Sequence, residues 1–194
     1  MKYRIAKASV AAVLSLALIL AGCSTSWINA ALADLPVITQ VALNIVSIVA
    51  AAQKAEPNGS SGANSAAVAE VQDIAAQVKS DLTLVQSLIN EYQSAAAAQK
   101  PALVQKISVV LAAVQANLSA ILAAVHIKDP ALQTTISSAV GLAVATVASI
   151  ASLLPAPTGT VRASNAVKPP SARQLKKQFN AIFASHGFPQ AQLK

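Results

Sequence analysis

Residues Pro101 to Val125 read PALVQKISVVLAAVQANLSAILAAV. Large aliphatic side chains recur in this stretch at alternating intervals of three and four residues, at Val104, Ile107, Leu111, Val114, Leu118, Ile121 and Val125. Side chains with this spacing lie along one side of an α-helix. Pro101 favours a helix start, because proline is tolerated at the first helical position and the residue before it avoids helical backbone. The stretch therefore predicts a helix that buries one apolar seam.

A second seam with the same spacing precedes it, on a segment from about Ser65 to Ala98. Its apolar positions are Val68, Val71, Ala75, Val78, Leu82, Val85, Ile89 and Tyr92. Charged residues occupy the opposite side, which is typical of a solvated face; they are Glu70, Asp73, Lys79, Asp81 and Glu91. Because a short connection cannot return the chain to the end where it started, the two segments are predicted to be antiparallel neighbours.

Two further helices are predicted on either side of this pair. One runs from Pro36 to about Ala55, and the other, which has no charged residue, runs from Ala131 to Leu154 with Asp129 as its N-cap. Their seams are Ile38, Val41, Ile45, Ile48 and Val49, and Leu132, Ile136, Val140, Ala143, Val147, Ile150 and Leu154. Residues 36–154 therefore predict an all-α fold, an antiparallel up-down four-helix bundle. Its core should be aliphatic, because aromatic residues make up only 3% of the chain.

The carboxyl-terminal part is predicted as a proline-rich linker, residues 155–170, followed by a basic amphipathic tail, residues 171–194. Ser171 and Gln174 have the spacing of a capping box at the start of a short helix. On this helix Phe179 and Phe183 share one face, and the flanking cations are Arg173, Lys176 and Lys177. These five residues could contact anionic lipid or a partner. The interpretation we favour is that the apolar face docks on the bundle, since short helices need packing to form. The aromatic residues of the tail are expected to lie away from the main core.

The amino terminus has the layout of a secretory signal peptide: Lys2, Arg4 and Lys7, then an uncharged apolar run that ends at Leu20. The sequence Leu20-Ala21-Gly22-Cys23 resembles the lipobox of bacterial prolipoproteins. The resemblance implies that residues 1–22 are removed as a signal peptide and that Leu20, Ala21 and Gly22 are read by the signal peptidase. It also implies that Cys23 carries diacylglycerol and an acyl chain such as palmitate. Two or three chains anchor a protein stably.

Residues 23–35 are predicted to be the lipidated tether. Ser24 follows the cysteine. A serine at this position resembles the default signal for the outer membrane in Gram-negative lipoproteins. Trp27 has two interpretations, either at the lipid headgroups or packed on the end of the bundle. The fourth helix is also apolar enough to span a bilayer, and Gly141, Ala145 and Ser149 have the spacing of small residues at membrane helix contacts.

Side chains that could carry catalysis are scarce. The chain has two histidines, His126 and His186, and one cysteine, so the sequence shows no set of zinc ligands and no Cys-His pair. We therefore expect a protein that is not an enzyme and has no metal or cofactor apart from the lipid on Cys23. Six of the 14 basic residues follow residue 161, where there is no acid. No nucleic-acid motif accompanies them, so no nucleic acid is expected as a partner.

Together these patterns predict a membrane-anchored envelope lipoprotein with a non-enzymatic structural or interaction role. The alternative is a membrane-active protein, pore-forming or entericidin-like, whose uncharged first and fourth helices leave the bundle and insert. The lipobox, the heptad helices and Lys194 also resemble the murein lipoproteins, which are single coiled coils joined to peptidoglycan through a final lysine. The expected partners are the membrane and, through the basic tail, anionic lipid, peptidoglycan or an envelope protein.

Overall fold

The computed structural model describes residues 26–55, 61–125, 129–155, 169–185 and 192–193. Within these ranges the chain forms five α-helices and no β-strand. They are α1 (Ser26–Ala55), α2 (Ser61–Ser94), α3 (Lys100–Ala124), α4 (Pro130–Ser152) and α5 (Ala172–Ser185). The prediction of an all-α protein is confirmed.

Each of the first four helices packs against the next one in the chain, α1 also packs against α4, and α5 packs against both α1 and α4. The predicted seams form the core. Every seam position predicted in α3 and α4 is buried, and so are all those in α2 except Val68, which is half-buried. The spacing of three and four residues therefore identified the buried side of these helices correctly.

The connection between α2 and α3 is short, as predicted, but α2 ends at Ser94 rather than near Ala98. Two side-chain contacts show how the two helices run. Close to the connection, the Lys100 ammonium lies 4.9 Å from the centre of the Tyr92 ring. Farther away, Asn117 Nδ2 donates to Asp81 Oδ2 at 3.0 Å. Because later residues of α3 meet earlier residues of α2, the two helices are antiparallel.

Helix α1 begins at Ser26, ten residues before the predicted start at Pro36, and Pro36 lies inside it. A proline within a helix removes one backbone hydrogen bond and crowds the preceding turn. Burial offsets this cost, because Trp27, Ile28 and Leu35 are all in the core. The Trp27 ring packs edge-on against Tyr92, with 5.3 Å between the ring centres. Of the two interpretations of Trp27, packing within the protein is the one observed.

Both predicted caps are confirmed. Asp129 Oδ1 accepts hydrogen bonds from the backbone N–H groups of Ala131 at 2.9 Å and Leu132 at 3.5 Å, at the start of α4. At the start of α5, the Gln174 N–H donates to Ser171 Oγ at 3.4 Å and the Ser171 N–H donates to Gln174 Oε1 at 3.0 Å. Each pair satisfies backbone donors that a helix start leaves without partners.

The tail helix docks on the bundle. Leu175, Phe179 and Phe183 of α5 are completely buried and belong to the same core as the other four helices. The chain beyond α5 also returns to it, since the Leu193 N–H donates to Asn180 Oδ1 at 2.7 Å and the Leu193 carbonyl accepts from Asn180 Nδ2 at 3.1 Å. The docking interpretation is confirmed, and the expectation that the tail aromatic residues lie away from the core was wrong. Burying the rings of Phe179 and Phe183 removes a large apolar area from water, which favours docking over a separate tail.

Candidate functional site

The lipobox residues Leu20, Ala21, Gly22 and Cys23 lie outside the part of the chain that the structure describes, as do His126, His186 and Lys194. Their roles therefore stay predictions. The structure places the beginning of α1 three residues after Cys23.

The five predicted contact residues of the tail fall into two groups. Arg173 and Lys177 are exposed and Lys176 is half-buried, whereas Phe179 and Phe183 are enclosed between α5 and the bundle. For the two rings to touch a membrane or a partner, α5 would have to leave α1 and α4. In the docked arrangement, the side of α5 that is available for contact with a membrane or a partner is its cationic side, with Arg173, Lys176 and Lys177.

A cavity of about 740 Å³ lies where the first turns of α1 meet the end of α4 and the start of α5. One wall is a stripe of α1 that contains Asn29, Ala30, Ala33 and Asp34, and the other walls are Leu153 and residues 169–172 with Gln174. Asn29 is exposed and Asp34 is buried, so the cavity runs from the surface inward along α1. Most of its lining is alanine, proline and leucine.

Asp34, which lies beside this cavity, carries an unusual carboxyl. The residue is 1% exposed, and neither carboxyl oxygen has a hydrogen-bond partner. Burial raises the pKa of Asp34 from 3.8 to about 6, because the low-dielectric surroundings disfavour the charged form. Buried polar groups without partners are uncommon in folded proteins, and each one calls for an explanation.

The other polar groups of the lining are mostly engaged with each other. Ser171 and Gln174 are joined by the capping box, in which the Ser171 hydroxyl also lies 3.1 Å from Gln174 Oε1. Among the described residues of the lining, Asp34 is the one that is ionisable. Across the described ranges, no group of three histidine, cysteine, aspartate or glutamate side chains could hold a metal ion. The described part of the lining is therefore mostly apolar, with one buried acid beside it.

Sequence reasoning missed this site because Asp34 was assigned to the predicted tether, residues 23–35, ahead of the helix predicted to start at Pro36. A signal was present nevertheless. Counting back from Ile38 by four, three and four residues gives Asp34, Ala31 and Trp27, which continues the seam of α1. An acid at a seam position predicts a buried carboxyl. Because Pro36 favours a helix start, the seam was not extended to the residues before it. The indole Nε1 of Trp27 is likewise buried without a partner.

Within the described ranges, three helices are long and apolar enough to cross a membrane by length and composition. They are Trp27–Ala51, Lys100–Ala124 and Pro130–Ser152, with mean hydropathies of 1.8, 2.0 and 1.6. The sequence interpretation had named the first and fourth helices, and the structure adds α3. On α4, Gly141 and Ala145 are exposed, and a Cβ at Gly141 would meet nothing within 4 Å. The small residues therefore make no close helix contact at Gly141.

Comparison of the chain with protein-family models, with curated proteins and with solved structures finds no match.

Proposed function

We propose that this chain is a bacterial envelope lipoprotein, anchored through lipid on Cys23, with a non-enzymatic structural or interaction role at the membrane surface. The observation that carries the proposal is the position of α1. Two side chains of its first turn are buried, with Trp27 1% and Ile28 4% exposed. Only Ser24 and Thr25 separate the start of α1 from Cys23. Two extended residues span about 7 Å. The anchor would therefore hold the folded part directly against the bilayer.

The first four helices, in this proposal, run alternately up and down, which supports a defined membrane-facing end. Trp27 at the start of α1 contacts Tyr92 near the end of α2. Tyr92 contacts Lys100 at the start of α3, and Ala30 of α1 lines one cavity with Leu153 just after α4. These contacts bring the start of α1, the end of α2, the start of α3 and the end of α4 together. This membrane-proximal end is defined by Trp27, Tyr92 and residues 95–100.

The distribution of charge supports the same orientation. The described cations near the membrane-proximal end are Lys100, Lys106, Arg173, Lys176 and Lys177. In the alternating arrangement the acids Glu70, Asp73 and Asp129 lie toward the other end, although Glu91 and the buried Asp34 lie nearer the proximal one. Each cation near anionic lipid headgroups contributes about 1 kcal/mol to membrane binding. We therefore propose anionic lipid as the partner of the cationic side of α5, ahead of peptidoglycan or an envelope protein.

The anchor is tested by treating cells with globomycin, which inhibits the lipoprotein signal peptidase. The precursor that retains residues 1–22 should accumulate, and mass spectrometry of untreated protein should find acyl groups on Cys23. A Ser24→Ala variant is the matched control and should be processed normally. Unchanged processing in the presence of globomycin would refute the proposed anchor.

The orientation is tested with spin labels on single added cysteines in the lipidated protein in anionic vesicles. Labels at the exposed positions Ala97 and Ala131 should differ, because Ala97 is in the α2–α3 connection and Ala131 begins α4. The Ala97 label should be accessible to lipid-soluble oxygen and the Ala131 label to an aqueous nickel chelate. Equal exposure of both labels to water would contradict the orientation.

The lipid contact is tested by co-sedimentation of residues 24–194 with anionic vesicles. Charge reversal of Arg173 and Lys177 to Glu should weaken binding, and high salt should weaken it as well. Lys79→Glu is the control, because Lys79 is exposed but lies 13 residues from Tyr92 along α2, about 20 Å of helix. Equal loss with the control would show that net charge alone matters.

The second candidate is a membrane-active protein that inserts its apolar helices. It is favoured by the three helices of sufficient length and hydropathy. In this case vesicle binding by residues 24–194 would resist high salt, and an entrapped dye would leak out. Salt-sensitive binding without leakage would exclude this candidate in favour of the surface-bound bundle.

A further inference from the structure

We propose that the cavity between the start of α1, the end of α4 and the start of α5 holds one acyl chain of the lipid on Cys23. Three observations lead to this proposal: the cavity lies close to Cys23 along the chain, the described part of its lining is mostly apolar, and its volume suits a hydrocarbon chain. The inference rests on the proposed lipid anchor and adds the place where part of that lipid binds.

The cavity begins within reach of the anchor. Asn29, the first described residue of the lining, lies six residues after Cys23. The three steps from Cys23 to Ser26 span at most about 11 Å, and the three helical steps from Ser26 to Asn29 rise about 5 Å. An acyl chain that spans one leaflet of a bilayer is about 15 Å long, and the glycerol and the cysteine side chain extend its reach. The chain can therefore enter the cavity while α1 stays in place.

The described walls suit hydrocarbon. Six of the ten lining residues are alanine, proline or leucine: Ala30, Ala33, Leu153, Pro169, Pro170 and Ala172. Among the polar ones, Ser171 and Gln174 bond to each other through the capping box, and Asn29 is exposed. Asp34 borders the cavity, but both of its carboxyl oxygens are inaccessible to water. A chain in the cavity would therefore contact mostly apolar atoms of these residues.

The apolar walls favour the cavity over the bilayer for one chain. Hydrocarbon gains a similar free energy on leaving water in either place, because both surroundings are apolar. In the cavity, however, the chain also covers apolar walls that water would otherwise contact, and this gain grows with the apolar area covered. The covalent link keeps the chain at a high effective concentration. Of the three chains that the lipobox resemblance implies, two remain for the bilayer, which is enough for stable anchoring.

The volume also suits a single chain. The cavity measures about 740 Å³, and ligand sites in proteins are typically clefts of about 300–1,000 Å³ with mostly apolar lining. Phospholipids of the bilayer carry the same hydrocarbon chemistry. The chain on Cys23 is the proposed occupant because it is tethered beside the entrance, and the test separates it from bilayer lipid.

The test is photocrosslinking of the mature lipoprotein made in cells that are fed a diazirine-labelled palmitic acid. The purified protein is placed in vesicles of unlabelled anionic lipid and illuminated, and mass spectrometry locates the crosslinks. Ala33→Trp fills the cavity. Ala51→Trp is the matched control, because Ala51 is also exposed and lies 18 residues farther along α1, on the same side of the helix and about 27 Å away. A parallel sample combines unlabelled lipoprotein with a diazirine-labelled phospholipid, and circular dichroism checks that each variant is folded.

Crosslinks from Cys23 should fall within residues 29–34 and 169–174. They should decrease at least fivefold in Ala33→Trp and persist in Ala51→Trp. If the chain on Cys23 crosslinks to vesicle lipid alone, or if Ala33→Trp has no effect, the proposal is wrong. Crosslinking of these residues by the labelled phospholipid instead of the Cys23 chain would also contradict it. Intact-mass measurement separates the two proposals, because an unmodified Cys23 refutes the anchor itself, whereas a lipidated Cys23 without these crosslinks refutes only the occupied cavity.

Discussion

Replacing Asp34 with Asn should stabilise the protein at neutral pH, although it changes a completely buried residue. The pKa of Asp34 is raised from 3.8 to about 6, and one pKa unit corresponds to about 1.4 kcal/mol. Keeping the buried carboxyl ionised therefore costs the folded state about 3 kcal/mol relative to the unfolded chain. Asn occupies the same space and, like the protonated acid, carries no charge. The variant should be about 3 kcal/mol more stable than the wild type at about pH 7.5.

The difference in stability between Asp34→Asn and the wild type should disappear at acidic pH. Between about pH 3.8 and 6 the folded state binds more protons than the unfolded state, so the contribution of Asp34 makes stability fall as pH rises through this window. Toward the acid end of this window the carboxyl becomes increasingly protonated in both states, and the advantage of Asn should shrink to less than about 1 kcal/mol at about pH 4.

The measurement is thermal unfolding by circular dichroism of the wild type, Asp34→Asn and the exposed control Asp73→Asn, between about pH 4 and 7.5. A change of about 3 kcal/mol corresponds to about 6–12 °C in Tm for a chain of this size. Asp73→Asn should follow the wild type at every pH. An Asp34→Asn variant that is less stable than the wild type at about pH 7.5, or a Tm difference that does not depend on pH, would refute the buried and unpaired state of this carboxyl.

Three further changes test the core, the end of the chain and a cap. Leu111→Ala should lower the free energy of unfolding by about 2–5 kcal/mol, because it leaves a cavity among buried side chains. Val109→Ala, at a position 65% exposed, should change it by less than about 0.5 kcal/mol. Both are measured by denaturant titration, and equal effects would mean that the seam is misplaced. Asn180→Ala removes both hydrogen bonds to Leu193, so limited proteolysis should remove the last residues faster, and an unchanged rate would contradict the contact. Asp129→Ala should cost about 1 kcal/mol, measured by the same titration, and no loss would mean that the cap is not formed in solution.

Local patterns predicted most of the helical core. Leu111, Leu118 and Val147 are buried as their spacing indicated. Helical periodicity places such side chains on one face of a helix, whichever neighbour that face packs against. The caps at Asp129 and Ser171 were predictable for a similar reason, since a cap is an interaction among neighbouring residues.

The beginning of α1 and the Asp34 site were not predicted. At Pro36 the local preference favours a helix start, but the helix continues upstream because Trp27 and Leu35 are buried against other helices. That burial depends on contacts between distant segments of the chain, which rules based on neighbouring residues do not include. Once the boundary was placed at Pro36, Asp34 lay outside the seam and its burial was missed.

The sequence by itself determined that the described chain is helical and which face of each helix is apolar, because spacing within a segment decides both. Only the tertiary structure decided that α5 and its two phenylalanines fill the core beside α1 and α4. It also decided that Asp34 meets Leu153 and residues 169–172 around one cavity. These features depend on segments more than one hundred residues apart in the chain, whose packing is selected by the apolar area that all five helices bury together.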